Sequence, residues 1–159
     1  MLSINQDLTV KNEGLVLNIR ALLLMKYKNG YVFEHSRDGH YFAVGGRVKF
    51  GEASIESAIR ELQEELNYLG SELKLVGLIE NFFENKGDNV HEINFVYSGR
   101  VSGEMNLEKL PSDHQGYVSL EMNEIEGFDI RPVSLKDLII KLSGDNKDSG
   151  EFIHLVNRD

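Results

Sequence analysis

The chain has 159 residues, 41% apolar and 27% charged, the proportions of an ordinary folded protein large enough to bury a core. It has no cysteine, which excludes disulfides and thiolate metal sites and fits a reducing, cytoplasmic setting. A formal charge of −9 leaves no basic footprint for a stable nucleic-acid complex, and a small anionic substrate would need a local basic group or a metal ion.

The N-terminal MLSINQDLTVKNEG is polar and has no basic region followed by an apolar one, so no secretory signal is expected. LVLNIRALLLM (15–25) and YVFEHS (31–36) read as strands joined by a short turn at KNG (28–30). The longest apolar run, Ala21 to Met25, is far too short to span a bilayer, so no membrane association is expected. SRDGH (36–40) is a loop, and YFAV (41–44) is a third short strand.

From Ser54 to Asn67 the pattern becomes helical, with Ile55, Ile59, Leu62 and Leu66 forming one stripe expected to face the sheet. Leu73 to Glu84 and Val90 to Val101 read as a further pair of strands around a loop at ENKGDN (84–89). Tyr117 to Leu120 is another short strand, and Leu135 to Leu142 a second helix with Ser134 as its N-cap. SGDNKDSG (143–150) reads as a loop, and EFIHLV (151–156) as an added edge strand. With no repeat and no linker composition, residues 1–159 are expected to form one domain. Strands outnumber helices and are joined mostly by hairpin-length turns, which gives an α+β class with a mixed or antiparallel sheet packed against helices.

Glu61, Glu64 and Glu65 crowd one segment of the first helix, on a face expected to lie well away from the apolar stripe. Like charges at this spacing cost a helix a few tenths of a kcal/mol each. An exposed helix tolerates that cost, and a solvated acidic face is the plain alternative. Three clustered carboxylates are also an oxygen-ligand set for a hard divalent cation, Mg²⁺ or Mn²⁺. Gly45 and Gly46 stand just before the helix, where backbone turns sharply or approaches a ligand. Gly51 and Glu52 lead into it, and Arg60 is placed to pair with Glu52 if the loop folds back.

Read together, Gly46, Glu52, Arg60-Glu61-Leu62-Gln63-Glu64-Glu65 and Asn67-Tyr68 resemble the signature of the Nudix hydrolases, G-x5-E-x7-R-E-U-x-E-E-x-G-U with U apolar. Two positions depart from it: Asn67 replaces the last glycine and Tyr68 an aliphatic residue. Asparagine is the next-best residue for a left-handed helix end, and the tyrosine ring can still pack. The resemblance implies an α/β/α sandwich and a hydrolase of nucleoside diphosphate derivatives or (d)NTPs, water attacking phosphorus at a Mg²⁺-loaded helix. It implies metal ligands Glu61, Glu64, Glu65 and the Gly46 carbonyl, with a Glu52–Arg60 ion pair orienting the loop and the first ligand. It also makes a homodimer a common arrangement, through an edge strand at either end of the chain.

The general base is left between Glu64 on the helix and Glu92 in VHEINFVY (90–97), with Glu104, Glu108 and Glu121 weaker. For the substrate, Arg20 could reach a phosphate or form a salt bridge, and Phe82 and Phe83 could stack on a base or divide between core and surface. His35, His40, His91 and His114 lack metal-site spacing and read as surface or polar-pocket residues, and His154 carries no signal. A different class of function is a catalytically silent nucleotide sensor. The three intact carboxylates weigh against it.

Overall fold

The computed structural model describes residues 6–70, 72–144 and 150–159. Its strands are β1 (Thr9–Asn12), β2 (Leu15–Tyr27), β3 (Gly30–His35), β4 (Tyr41–Arg47), β5 (Lys74–Asn85), β6 (Asp88–Arg100), β7 (Gly116–Glu121), β8 (Ile130–Arg131) and β9 (Ile153–Arg158). The helices are α1 (Ser54–Leu66), α2 (Met122–Ile125) and α3 (Ser134–Ser143). The strands form one mixed sheet in the order β7-β3-β4-β2-β6-β5-β9, with β1 beside β2 and β8 beside β4. Pairs β2–β6, β4–β8 and β5–β9 are parallel and the others antiparallel.

The ALLLM run explains how the layers assemble. Ala21, Leu23 and Met25 point to one face and pack with Ala58, Leu62 and Leu66 of α1. Leu22 and Leu24 point to the other and pack with Leu135, Leu138 and Ile139 of α3. A strand covered on both faces has no polar side, which is why this stretch reads as continuous rather than alternating. The result is an α/β/α sandwich with β2 at its centre.

Several elements differ from the sequence reading. β1 arises from the polar N-terminal segment, held by the tight turn at Glu13–Gly14 and paired from Asn12 to Leu15 onward. The 84–89 loop shrinks to a turn at Lys86–Gly87, because Asn85 and Asp88 already pair. The short α2 and β8 carry too few residues to show a period. Ser134 is the first residue of α3 and makes no cap bond; its Oγ is buried without a partner among the described residues. The last strand lies at the sheet edge as expected, two residues further on. The expected 143–150 loop falls largely outside the described residues.

The apolar stripe of α1 is rotated from its expected position. Ile59 is 48% exposed, while Ser57, Ala58, Glu61, Leu62 and Leu66 are buried. The buried arc therefore runs towards the glutamates, and Glu61 lies inside it. The helix ends as expected: Asn67 is left-handed at φ 48° and ψ 39°, and its N–H donates to the Leu62 carbonyl. Tyr68 packs on the α1-side core, and its hydroxyl meets Ser102 Oγ at 2.9 Å. Among the described residues, no helix is long and apolar enough to cross a membrane.

Candidate active site

The end of β4 lies against the second half of α1. Gly45 has φ +144°, and a Cβ there would overlap the Ala21 carbonyl of β2. At Gly46 a Cβ would overlap the Glu61 carboxylate itself. Both positions need glycine, one for backbone conformation and one for the approach of a charged side chain.

Arg60 organises this junction. Its Nε donates to Glu52 Oε1 at 2.7 Å and its Nη2 to Glu52 Oε2 at 3.0 Å, a bidentate pair that ties the loop to the helix as expected. Nη2 also donates to the Arg47 carbonyl at 3.0 Å. Nη1 reaches Glu61 Oε1 at 2.5 Å and Glu64 Oε2 at 3.3 Å, so one guanidinium lies between two of the signature carboxylates. The bond from Arg60 holds Glu52 below the usual carboxylate range, against the effect of its burial. Glu52 in turn, with Glu61, keeps Arg60 firmly charged.

The three signature glutamates occupy different surroundings. Glu64 is on the solvent side, with its side chain 56% exposed. Glu61 is buried, and burial raises its carboxyl above the usual range against the pull of Arg60. Glu65 accepts the Gly45 N–H at 3.2 Å. Burial, followed by the charges of Glu61 and Glu34, pushes its carboxyl up to about 8. Glu61 and Glu65 thus face the β4 glycines, not a face remote from the core as the helical wheel implied. Among the described residues no three carboxylates or imidazoles are gathered at a single metal-binding point.

The donor chemistry nevertheless fits a hard divalent cation. The buried Glu61 and the half-buried Glu65 bracket a glycine backbone, the exposed Glu64 stands one turn from Glu61, and all the donors are oxygens. Burial and mutual repulsion disfavour the ionised form of Glu65, and a bound cation would reverse that. This has a pH signature. A carboxyl raised from 4.5 to about 8 contributes stability that is fully present below pH 4.5 and is lost as pH rises through about 8. The melting temperature measured in chelator should therefore fall between pH 6 and pH 8.5. Mg²⁺ should restore more at pH 8.5 than at pH 6, and Glu65→Gln should flatten both trends. Parallel profiles for wild type and Glu65→Gln would contradict the assignment.

Glu61 and Glu64 share a cleft of about 360 Å³ with Arg20, Arg47 and Lys49. Arg20 and Arg47 stand directly opposite each other across β2 and β4, a like-charge pairing that favours an anion between them. Arg47 also meets Asp7 at 3.4 Å. Arg47 and Lys49 were not singled out in the sequence; their signal was position, one and three residues after Gly46. Arg20 continues into a second cleft of about 400 Å³ that also contains Phe83 and Glu92.

Glu92 is buried in mid-strand, where its Oε1 accepts from Arg20 Nη1 at 3.3 Å and from Asn18 Nδ2 at 3.4 Å. It belongs to this second cleft and not to the glutamate cluster. Phe82 does not share the cleft. Its ring stacks on His91 at 4.1 Å and lies under Arg158 at 4.1 Å, in a groove that also takes in Leu15 and Leu17. Of the other histidines, His35 stacks on Tyr41 and His40 pairs with Asp129.

The sequence matches the NUDIX domain over residues 14–155. The chain belongs to the Nudix family. Solved Nudix-type structures share its fold. A MutT protein from Bacillus halodurans superimposes with a TM-score of 0.65 at 18% identity, covering 80% of this chain and 84% of its own. The E. coli dihydroneopterin triphosphate pyrophosphohydrolase gives 0.64 at 16%, covering 77% and 92%. A C. elegans Ap4A hydrolase gives 0.59 at 21%, covering 79% and 95%. At these identities the likeness is one of fold. No curated protein matches the sequence. Within the Nudix signature, this chain keeps each charged residue, and the two replaced positions lie at the end of α1.

Proposed function

We propose that this Nudix chain, as a single domain spanning residues 1–159, is a metal-dependent hydrolase that cleaves the pyrophosphate bond of a nucleotide, either a (d)NTP or a nucleoside diphosphate derivative. The reaction class, pyrophosphate hydrolysis, is that of the family to which the chain belongs. One observation carries the reading: Glu61, Glu64 and Gly46 line the same cleft as Arg20, Arg47 and Lys49. Carboxylates arranged for a cation and cations arranged for an anion, side by side, suit a metal-bound diphosphate. The neighbours named as pyrophosphohydrolase and Ap4A hydrolase lend the same class of chemistry to the reading.

Glu61, Glu64, Glu65 and the Gly46 carbonyl would hold Mg²⁺ or Mn²⁺. Such an ion supplies neutralisation of the phosphate oxygens and a water made more acidic. The residues of the chain do the rest. Arg20, Arg47 and Lys49 receive the phosphate oxygens and hold the diphosphate for attack. Glu64, the carboxylate with solvent access, accepts the proton from the attacking water as its oxygen bonds to phosphorus. The bridging P–O bond breaks, and the bridging oxygen leaves on the other phosphate. Arg60, fixed by Glu52, holds Glu61 against Gly46 and keeps the cleft in shape.

The substrate would be a small nucleotide handled in the cytoplasm. A homodimer through the β9 edge is compatible with the fold. The test is a panel of canonical and oxidised dNTPs, ADP-ribose, NADH, dinucleoside polyphosphates and nucleotide sugars, each incubated with Mg²⁺ and followed for pyrophosphate, phosphate and nucleoside monophosphate. Metal-dependent release from one class is expected. Tight metal-dependent binding without turnover of any compound would make the domain a sensor instead.

A further inference from the structure

Basic side chains gather at a second place, at the far end of β2. The register sets Lys26 of β2 directly beside Arg100 of β6. It sets Lys74 of β5 opposite Ser98 of β6, two residues before Arg100 and on the same face. Since β2, β6 and β5 are adjacent in the sheet, three neighbouring strands each bring a cation to one end of it. Like charges directly across a strand pair repel, and a chain of net charge −9 has carboxylates to place between them. Lys28, two residues beyond Lys26, has such a partner in Glu104 at 3.3 Å. None of the ion pairs among the described residues includes Lys26 or Lys74. The Lys26 ammonium lies over the Tyr31 ring, 5.6 Å from its centroid, a contact that uses none of its N–H donors on an acceptor.

The three cations line a pocket of about 410 Å³ whose single acid is Glu72. Tyr68, Ser98 and Ser102 add hydroxyls to the lining, and Tyr68 is pinned there, its Oη accepting the Ser102 N–H at 2.9 Å. Gly70 and Gly99 complete the wall without side chains, so a ligand can come down to the backbone. The pocket shares no residue with the glutamate cleft or with the cleft of Glu92. Along β2, Lys26 stands about 20 Å from Arg20 at the rise of an extended strand.

Three cations against one carboxylate suit an anion of two or more charges. A carboxylate ligand brings one charge and two oxygens in a plane. A diphosphate brings several charges, on oxygens that face the three strands and the hydroxyls together. We propose that this pocket is a second, non-catalytic site that binds the diphosphate group of a small ligand. The site does not rest on the hydrolase reading and would stand equally in a sensor. Tyr68 and Gly70 belong to the segment that leaves the left-handed cap of α1, so an anion bound here holds the end of the helix that carries Glu61, Glu64 and Glu65. Lys74 and Arg100 are exposed and Lys26 is half-buried, which leaves the site open to solvent and sensitive to salt.

The experiment is titration of inorganic pyrophosphate into the intact protein, in chelator and at low salt, followed by amide NMR. This reads each site separately and needs no turnover. The amides of Gly70, Gly99 and Ser102 should shift and saturate together, with their own affinity, apart from any response at Gly46 and Arg47. Lys26→Gln combined with Lys74→Gln should weaken binding at these amides by about 10- to 100-fold, as expected for lost charge-assisted bonds, and leave the response of Gly46 as in wild type. Lys26→Arg with Lys74→Arg should restore it. The spectra report whether each variant is folded; if the glutamine pair is not, the wild-type titration against sodium chloride at matched ionic strength decides. A nucleoside triphosphate titrated in the same way separates the sources of the diphosphate: tighter binding than pyrophosphate assigns the site to a nucleotide, and weaker binding to the free anion. Shifts confined to Gly46 and Arg47, the same shifts with sodium chloride, or unchanged affinity in the folded glutamine variant would overturn the site. Mg²⁺-dependent turnover with this pocket silent would remove the second site and leave the hydrolase. Saturable binding here with no turnover of any nucleotide would do the reverse.

Discussion

Replacing Glu64 by Gln is expected to lower kcat by about 10²- to 10⁴-fold, the range lost with a positioned general base. It should do so with little effect on folding. Glu64 is exposed, and its ion pair with Arg60 is 3.3 Å long and of the kind worth well under 1 kcal/mol at a surface. Glutamine keeps the shape and one acceptor oxygen but cannot take a proton near neutral pH. The measurement is steady-state turnover with Mg²⁺ alongside a thermal melt. A variant with an unchanged melt and near-wild-type kcat would move the base elsewhere; a variant that fails to fold would show that Glu64 is structural.

Arg60→Ala is expected to damage stability and activity together. Its guanidinium binds Glu52 through two bonds and also serves Glu61, Glu64, Ser57 and the Arg47 carbonyl. The Arg60 side chain is 20% exposed, against 15% for Glu52 and 11% for Glu61, so its removal leaves two largely buried carboxylates without their cation. Breaking such a pair costs about 3 kcal/mol. Denaturant unfolding in chelator reads this directly, and a loss below about 0.5 kcal/mol would show the network to be ornamental. Arg60→Lys should recover little, because a single ammonium cannot hold both Glu52 oxygens and reach Glu61 as well. Mg²⁺ should offset part of the Arg60→Ala loss, since a divalent ion also neutralises Glu61.

Much of this site can be read from the chain. The eight-residue separation of Glu52 and Arg60 makes physical sense only if the loop folds back, and it does. Asn67 ends α1 in the left-handed conformation that its chemistry permits. The two β4 glycines are explained by what lies against them. Ile59 shows where periodicity misleads. It keeps helical register with Ile55, Leu62 and Leu66, yet the sheet contacts an arc centred on Ala58 and Glu61, because Gly46 lets a carboxylate come as close as a methyl group would. A pattern that counts apolar residues cannot see that a glutamate is on the buried side.

The buried polar row that runs across the sheet from Asn18 of β2 through Glu92 of β6 and Asn81 of β5 to Asn157 of β9 was hidden for a different reason. Asn18, Asn81, Glu92 and Asn157 each interrupt a separate strand, and each alone is an unremarked polar residue. Only the register places them in one line, and register is set by pairings between segments as far apart as Asn81 and Asn157. Phe82 and Phe83 are both half-buried and both line the groove with Leu15 and Leu17, and of the two only Phe83 also reaches the cleft of Glu92. Which of them faces the cleft depends on which face the helices leave open. Arg47 and Lys49 needed the same knowledge, since a cation next to a glycine reveals nothing until Arg20 is seen across from it.

The most direct test is pyrophosphate or phosphate release from nucleoside triphosphates, comparing wild type with Mg²⁺, wild type with chelator, and Glu64→Gln with Mg²⁺. A glutamate site built for a metal-bound diphosphate predicts turnover in the first and loss in the other two, with a nucleoside mono- or diphosphate as the second product. Turnover that survives both chelator and Glu64→Gln would contradict it and place the chemistry outside the Nudix helix.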